Sequence, residues 1–174
     1  MRSTCCTRHE GASQGRRPLV QVDNFVRLFI KSSLAWLGCG VILGVAMSAH
    51  PLWIIYRPAH VHMNLLGFVT MMIFGVGYHV LPRVAGAPLR WPRLGMVHWW
   101  LANVGLALMA SGFFLLPSFP PAGRATLVIG GSAAASGAFC FIVNIWRTVD
   151  LGTLRAEAAQ LKRRGGLPVK EAIV

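Results

Sequence analysis

Charge is scarce in this chain of 174 residues: Asp and Glu together number 5, and charged residues make up 13% of the total. Soluble domains carry about a quarter charged residues, so composition argues against an ordinary soluble globular domain. Polar helix faces are missing as well. Four long stretches, about 26–48, 58–81, 95–117 and 124–146, are apolar all round rather than striped at the helical period, which argues against a soluble bundle. Cysteine occurs only at Cys5, Cys6, Cys39 and Cys140, and no two are spaced C-x-x-C. The thiols therefore read as reduced and structural. A cleavable signal pattern is also lacking. The first apolar stretch follows about 24 polar residues and is too long for a signal h-region, so it is expected to stay as an anchor.

What is present is hydrophobicity, at 55% of the chain. Each apolar stretch is close to the ~20 residues that cross a bilayer as a helix. The expectation is an all-α polytopic membrane protein with four transmembrane helices. Residues 1–25 read as a disordered basic tail, 26–148 as the membrane domain, and 149–174 as a second basic tail. Within that second tail, 151–164 has the pattern of a short interfacial helix.

The net charge of +12 is not a nucleic-acid footprint, because of where the 17 Lys and Arg fall. Six precede or open the first span (Arg2, Arg8, Arg16, Arg17, Arg27, Lys31), three lie between spans two and three (Arg83, Arg90, Arg93), and six follow span four (Arg147, Arg155, Lys162, Arg163, Arg164, Lys170). The other two connections hold only Arg57 and Arg124. The positive-inside rule then places both termini and the middle loop in the cytoplasm. Trp53 and Tyr56 on one side, and Trp91, Trp99, Trp100 and Trp146 on the other, read as interfacial belts. Gly40 and Gly44 in span one, and the run Gly130–Gly137 in span four, are small-residue surfaces for close helix contact, within the bundle or in a dimer.

Histidines carry the candidate chemistry. His60 and His62 open span two, where an ionisable side chain in lipid is a functional-site candidate. Two residues apart, they point about 200° apart around the helix. They therefore serve two neighbours rather than chelating one ion. His50 lies at the same expected height and is a candidate second imidazole. Arg57, the sole cation of the connection between spans one and two, is a candidate for pairing with an anionic group of a bound cofactor, and Asn64, one turn after His60, for orienting a ligand. His79 and His98 share the opposite level and are weaker metal candidates. The methionines read as packing.

The stretch His60-Val61-His62-Met63-Asn64-Leu65-Leu66-Gly67-Phe68-Val69, with Ile73-Phe74-Gly75, Tyr78-His79-Val80-Leu81-Pro82-Arg83 and His98-Trp99-Trp100-Leu101-Ala102-Asn103-Val104-Gly105, resembles the catalytic subunit of haem-copper oxidases. It is most similar to the cbb-type cytochrome c oxidases and the related nitric oxide reductases. The similarity covers about 57–115. It implies that His60 matches the ligand of the high-spin haem and His62 that of the low-spin haem. The family's other low-spin ligand and the histidines of its copper or iron partner have no counterpart here. Copper is therefore not expected, nor is a complete dioxygen-reducing centre in this chain alone. The resulting expectation is a b-type haem protein of respiratory electron transfer or of oxygen or nitric oxide handling. It would act as a homodimer or in a larger respiratory complex, with its redox partner unspecified. Two alternatives stay open: a haem-free accessory or assembly subunit, and a metal or small-solute transporter using the outer histidines.

Overall fold

A computed structural model describes residues 24–163. The N-terminal tail up to residue 23 and residues 164–174 lie outside the described residues. Four helices follow one another: α1 (Asn24–Ala49), α2 (Pro51–Val84), α3 (Pro92–Leu115) and α4 (Pro120–Arg163). Each is long and apolar enough to cross a membrane. The all-helical architecture expected from the sequence, with four helices long and apolar enough to span, is therefore what the chain forms.

α2 begins earlier than the apolar pattern indicates. Residues 49–57 read as a connection, yet Pro51–Tyr56 is a 3-10 helix that runs directly into Arg57–His62. Pro51 sits in the first turn after an extended His50, where its fixed φ favours helix and its missing N–H costs nothing. Met63–Thr70 then winds as a π-helix before α geometry resumes at Met71. The Thr70 hydroxyl donates to the Leu65 carbonyl at 2.8 Å within this stretch. Gly67 meets α1 and α3 here: a Cβ on it would lie 2.6 Å from Trp36 Cβ and 2.8 Å from Leu106 Cδ2. The helix stops at Gly86, whose φ of +65° suits a residue without Cβ. Gly86 N donates to Arg83 O at 3.1 Å and Ala87 N to Pro82 O at 3.1 Å, the paired bonds of a Schellman cap.

α3 and α4 pack closest, and their seam has a seven-residue period. Gly112, Gly105, His98 and Trp91 on α3 and its N-cap oppose Gly123, Gly130, Gly137 and Asn144 on α4. At Gly105 a Cβ would lie 2.6 Å from the Ala134 amide nitrogen and 2.7 Å from Gly130 O. A sustained seven-residue repeat keeps one face of each helix on its neighbour over several turns. The small residues let the backbones touch, as expected from the run Gly130–Gly137.

At the last step of the repeat, contact changes from van der Waals to polar. Asn144, fully buried, accepts from Trp91 N at 3.1 Å and donates to Trp91 O at 2.9 Å. Thr148, 1% exposed, accepts from Arg90 N at 3.1 Å. Trp91 caps α3, so the bond from its N–H satisfies a donor that a helix start leaves open. Asn144→Leu removes both bonds; the Trp91 carbonyl still accepts from Leu94 N at 3.1 Å, and the Trp91 N–H is left unpaired. The expected cost is about 1–3 kcal/mol, read as a lowered melting temperature in detergent.

α4 has 44 residues, a length of about 66 Å at 1.5 Å per residue, about twice a bilayer's hydrocarbon thickness. Residues 151–163 thus continue α4 without a break. Between α1 and α3 runs a polar stitch. The Trp36 indole donates to Asn103 Oδ1 at 3.1 Å and the Trp99 indole to Ser32 Oγ at 3.3 Å. Trp99 thus bonds across the bundle as well as flanking Trp100 at the rim.

Candidate functional site

The Gly40–Gly44 surface of α1 is used inside the bundle, against α2. A Cβ on Gly44 would lie 2.8 Å from His60 Cε1, and one on Gly40 would lie 2.6 Å from Asn64 Nδ2. The two glycines therefore make the space in which His60 and Asn64 lie. His60 Nδ1 is 2.8 Å from Gly40 O. Asn64 donates to His60 O at 2.9 Å, and its amide nitrogen also stands 3.3 Å from His60 Nε2. One glycine carbonyl and one amide thus fix the imidazole in the α1–α2 seam.

His62 faces the other way, as the two-residue spacing requires. Its ring packs on Phe113 of α3 with centroids 4.9 Å apart. His62 Nδ1 is 2.7 Å from Pro58 O, one turn back. Both histidines therefore turn Nδ1 to a main-chain carbonyl. A neutral imidazole that donates from Nδ1 carries its lone pair on Nε2. Donation of the other ring nitrogen to a backbone carbonyl is also how metal-ligating histidines are oriented.

The other residues singled out in the sequence fall elsewhere. His50 is exposed and lies against Trp53 at 5.3 Å. It joins Tyr56 and Phe114 in an aromatic rim at this end, not the α1–α2 seam that holds His60. Arg57 is exposed beside Pro58. His79 and His98, near one level, are not brought together. The His79 carbonyl accepts from the Arg83 guanidinium, whereas His98 points into the bundle centre. Among the described residues no three His, Cys, Asp or Glu side chains gather as a metal site. An axial haem site does not need such a cluster, because one or two imidazoles hold the iron.

His98 is the residue whose environment the sequence conceals. It is fully buried, in a box made by Phe29, Phe74, Tyr78 and Phe141 at centroid distances of 4.8, 4.6, 5.8 and 6.0 Å. Gly137 makes room for it: a Cβ there would lie 3.0 Å from His98 Cδ2. The Tyr78 hydroxyl is 3.1 Å from His98 Nδ1, and Nε2 has no partner among the described residues. The signal for this placement was the seven-residue spacing of His98 from Gly105, matched by Gly137 and Gly130 on α4. Tyr78→Phe leaves both ring nitrogens unpaired and is expected to cost about 1–3 kcal/mol. Tyr78→Phe combined with His98→Leu is expected to recover part of that loss in the same thermal measurement, since no polar atom then stays unpaired.

The cbb3-type cytochrome c oxidase subunit CcoN1 of Stutzerimonas stutzeri is 29% identical over 156 residues, covering 70% of this chain and 32% of the relative. The chain thus spans about a third of the curated relative's length. The family model described as cytochrome c and quinol oxidase polypeptide I matches residues 24–163. That match runs through all four helices, beyond the 57–115 stretch where the resemblance is plain by motif, and the chain belongs to this family of membrane oxidase subunits.

Proposed function

We propose that this chain is a haem-binding membrane subunit of respiratory electron transfer, with His60 and His62 as axial ligands to b-type haem. One observation carries the reading: the His62 ring holds Nδ1 against Pro58 O at 2.7 Å, which leaves Nε2 as the donor nitrogen, while His60 holds Nδ1 against Gly40 O at 2.8 Å with Asn64 over its other nitrogen. His62 fits the role with least rearrangement, being half-buried on the α3 side beside Phe113. His60 fits with its Nε2 beside Asn64, so Asn64 orients that ring and shifts its amide when the ligand is engaged. Haem iron bound there supplies one-electron chemistry, with a potential tuned by its axial ligands and its apolar surround.

The chain's own contribution would be to fix ring orientation and to exclude water with apolar helix faces, and a further imidazole would come from another chain. His50 lies against Trp53, with ring centroids 5.3 Å apart. The fitting assembly is therefore a second copy or a larger respiratory complex. Arg57, exposed at the same end, is the cation available to a propionate.

The test is a reduced-minus-oxidised optical spectrum of the full chain purified from haem-replete cells, with b-type bands as the expected result. A rival reading has an observation of its own. The His60 ring already bonds Gly40 and fills the space over Gly44, which suits a haem-free packing module. Folded protein without b-type bands supports that reading instead.

A further inference from the structure

We propose that the end of the bundle carrying residues 85–91 holds an anionic glycerophospholipid, its phosphodiester between Arg90 and Arg147 and its acyl chains along α4 beside Ile142 and Trp146. This is independent of haem binding. It rests on three observations that coincide at one place.

The first is depth. α4 has no charged residue between Arg124 and Arg147. That interval rises about 34 Å, close to the thickness of a bilayer's hydrocarbon layer. Arg147 is thus the first charge to emerge, at headgroup level. Trp146 and Trp91 beside it are 69% and 41% exposed, as indoles at that level commonly are.

The second is construction. Arg90 sits beside Arg147 because of the bonds that tie the connection to α4. Its amide N–H donates to Thr148, and the next residue is held at both backbone groups by Asn144. Both anchoring side chains are buried. The Arg90 guanidinium lies over the Trp91 ring at 5.9 Å. The result is a crevice of about 340 Å³ lined by Arg90, Trp91, Arg147, Asp150 and Leu151. Two cations and one carboxylate leave a net single positive charge, the complement of one phosphodiester. Asp150 is placed to accept from a headgroup hydroxyl.

The third is continuity with apolar grooves. Arg147 and Asp150 also line a groove of about 460 Å³ with Ile142, Val143 and Trp146. Asp150 and Trp146 border a further groove of about 450 Å³ running by Phe141, Ile145 and Val149. A soluble oxyanion has no use for such grooves, whereas two acyl chains do. The positive-inside distribution places this end on the cytoplasmic leaflet, where anionic headgroups attract basic side chains.

The experiment is native mass spectrometry of the delipidated full chain in detergent, titrated separately with phosphatidylglycerol, phosphatidylcholine of the same acyl chains, and inorganic phosphate. The expected result is a saturable phosphatidylglycerol adduct, favoured over phosphatidylcholine and weakened roughly fivefold by either Arg90→Gln or Arg147→Gln. Arg124→Gln, at the opposite end of α4, leaves it unchanged. Arg90→Gln retains the backbone N–H that Thr148 accepts, so the crevice itself persists, and an unaltered melting temperature confirms it. Equal binding of the two lipids, or indifference to both arginine variants, overturns the proposal. Inorganic phosphate binding as tightly as the lipid assigns the crevice to a soluble oxyanion and overturns it too.

Discussion

Gly105→Val separates α3 from α4 and lowers the melting temperature of the detergent-solubilised chain by about 10 °C or more. At Gly105 the first added carbon would lie 2.6 Å from one backbone nitrogen and 2.7 Å from a backbone oxygen of α4. Backbone atoms of a membrane-spanning helix cannot swing aside as a side chain does. Overpacking commonly costs about 1–3 kcal/mol where side chains give way; here the whole helix must move, and the expected loss exceeds that range. The shift follows from about 2–4 °C per kcal/mol for a chain of this size. The damage also spreads along the seam. His98 is seated over Gly137 and Trp91 is held by Asn144 in the same register, so both lose their fit when the helices part. Gly131→Ala is the internal control. Its Cβ would have Met109 Sδ, at 4.0 Å, as its nearest neighbour, and alanine's better helix propensity leaves stability unchanged or raised by up to about 1 kcal/mol. Equal stability of Gly105→Val and Gly131→Ala contradicts the close seam.

The second large effect is loss of haem on His62→Ala, with the fold retained. His62 gives up only its ring contact with Phe113 and a bond to its own helix, a packing term of about 1 kcal/mol. The b-type absorbance is therefore expected to fall by the share that His62 holds, while the melting temperature of the haem-free protein hardly moves. His60→Ala is expected to behave differently. Its ring fills the space over Gly44 and bonds Gly40 O, and Asn64 leans on it. Its removal should lower both haem content and stability, the latter by about 2–3 kcal/mol from the cavity and the unpaired groups. The contrast between the two variants separates ligand loss from unfolding. Retained absorbance in both overturns the assignment.

Much of this arrangement could be read from the chain before any coordinates. Four apolar runs become four helices because a run of that length can satisfy its backbone in lipid only by helix formation. Gly40 and Gly44 announce a close approach, and the structure says against what: α2, at His60 and Asn64. The two-residue spacing of His60 and His62 correctly implies two different neighbours. Other features were hidden for physical reasons. The π-helical stretch Met63–Thr70, where Trp36 and Leu106 close on Gly67, has no signature in the local sequence. His79 and His98 look alike by height, but helical phase turns only His98 into the bundle. The matched spacings Gly112, Gly105, His98 and Gly123, Gly130, Gly137 were visible in the sequence, yet they carry meaning only when two helices are compared in antiparallel register. The tail after Asp150 reads as a separate element because its composition changes, while the helix beneath runs on to Arg163.

The most direct measurement of the central claim is haem content per chain. It is determined by pyridine haemochrome assay on full-length protein purified from haem-replete cells, beside His62→Ala and His79→Ala variants. The expected result is b-type haem in proportion to chain in the unaltered protein and in His79→Ala, with the content clearly lowered in His62→Ala. Folded, haem-free protein throughout, or the same haem content in all three, contradicts it.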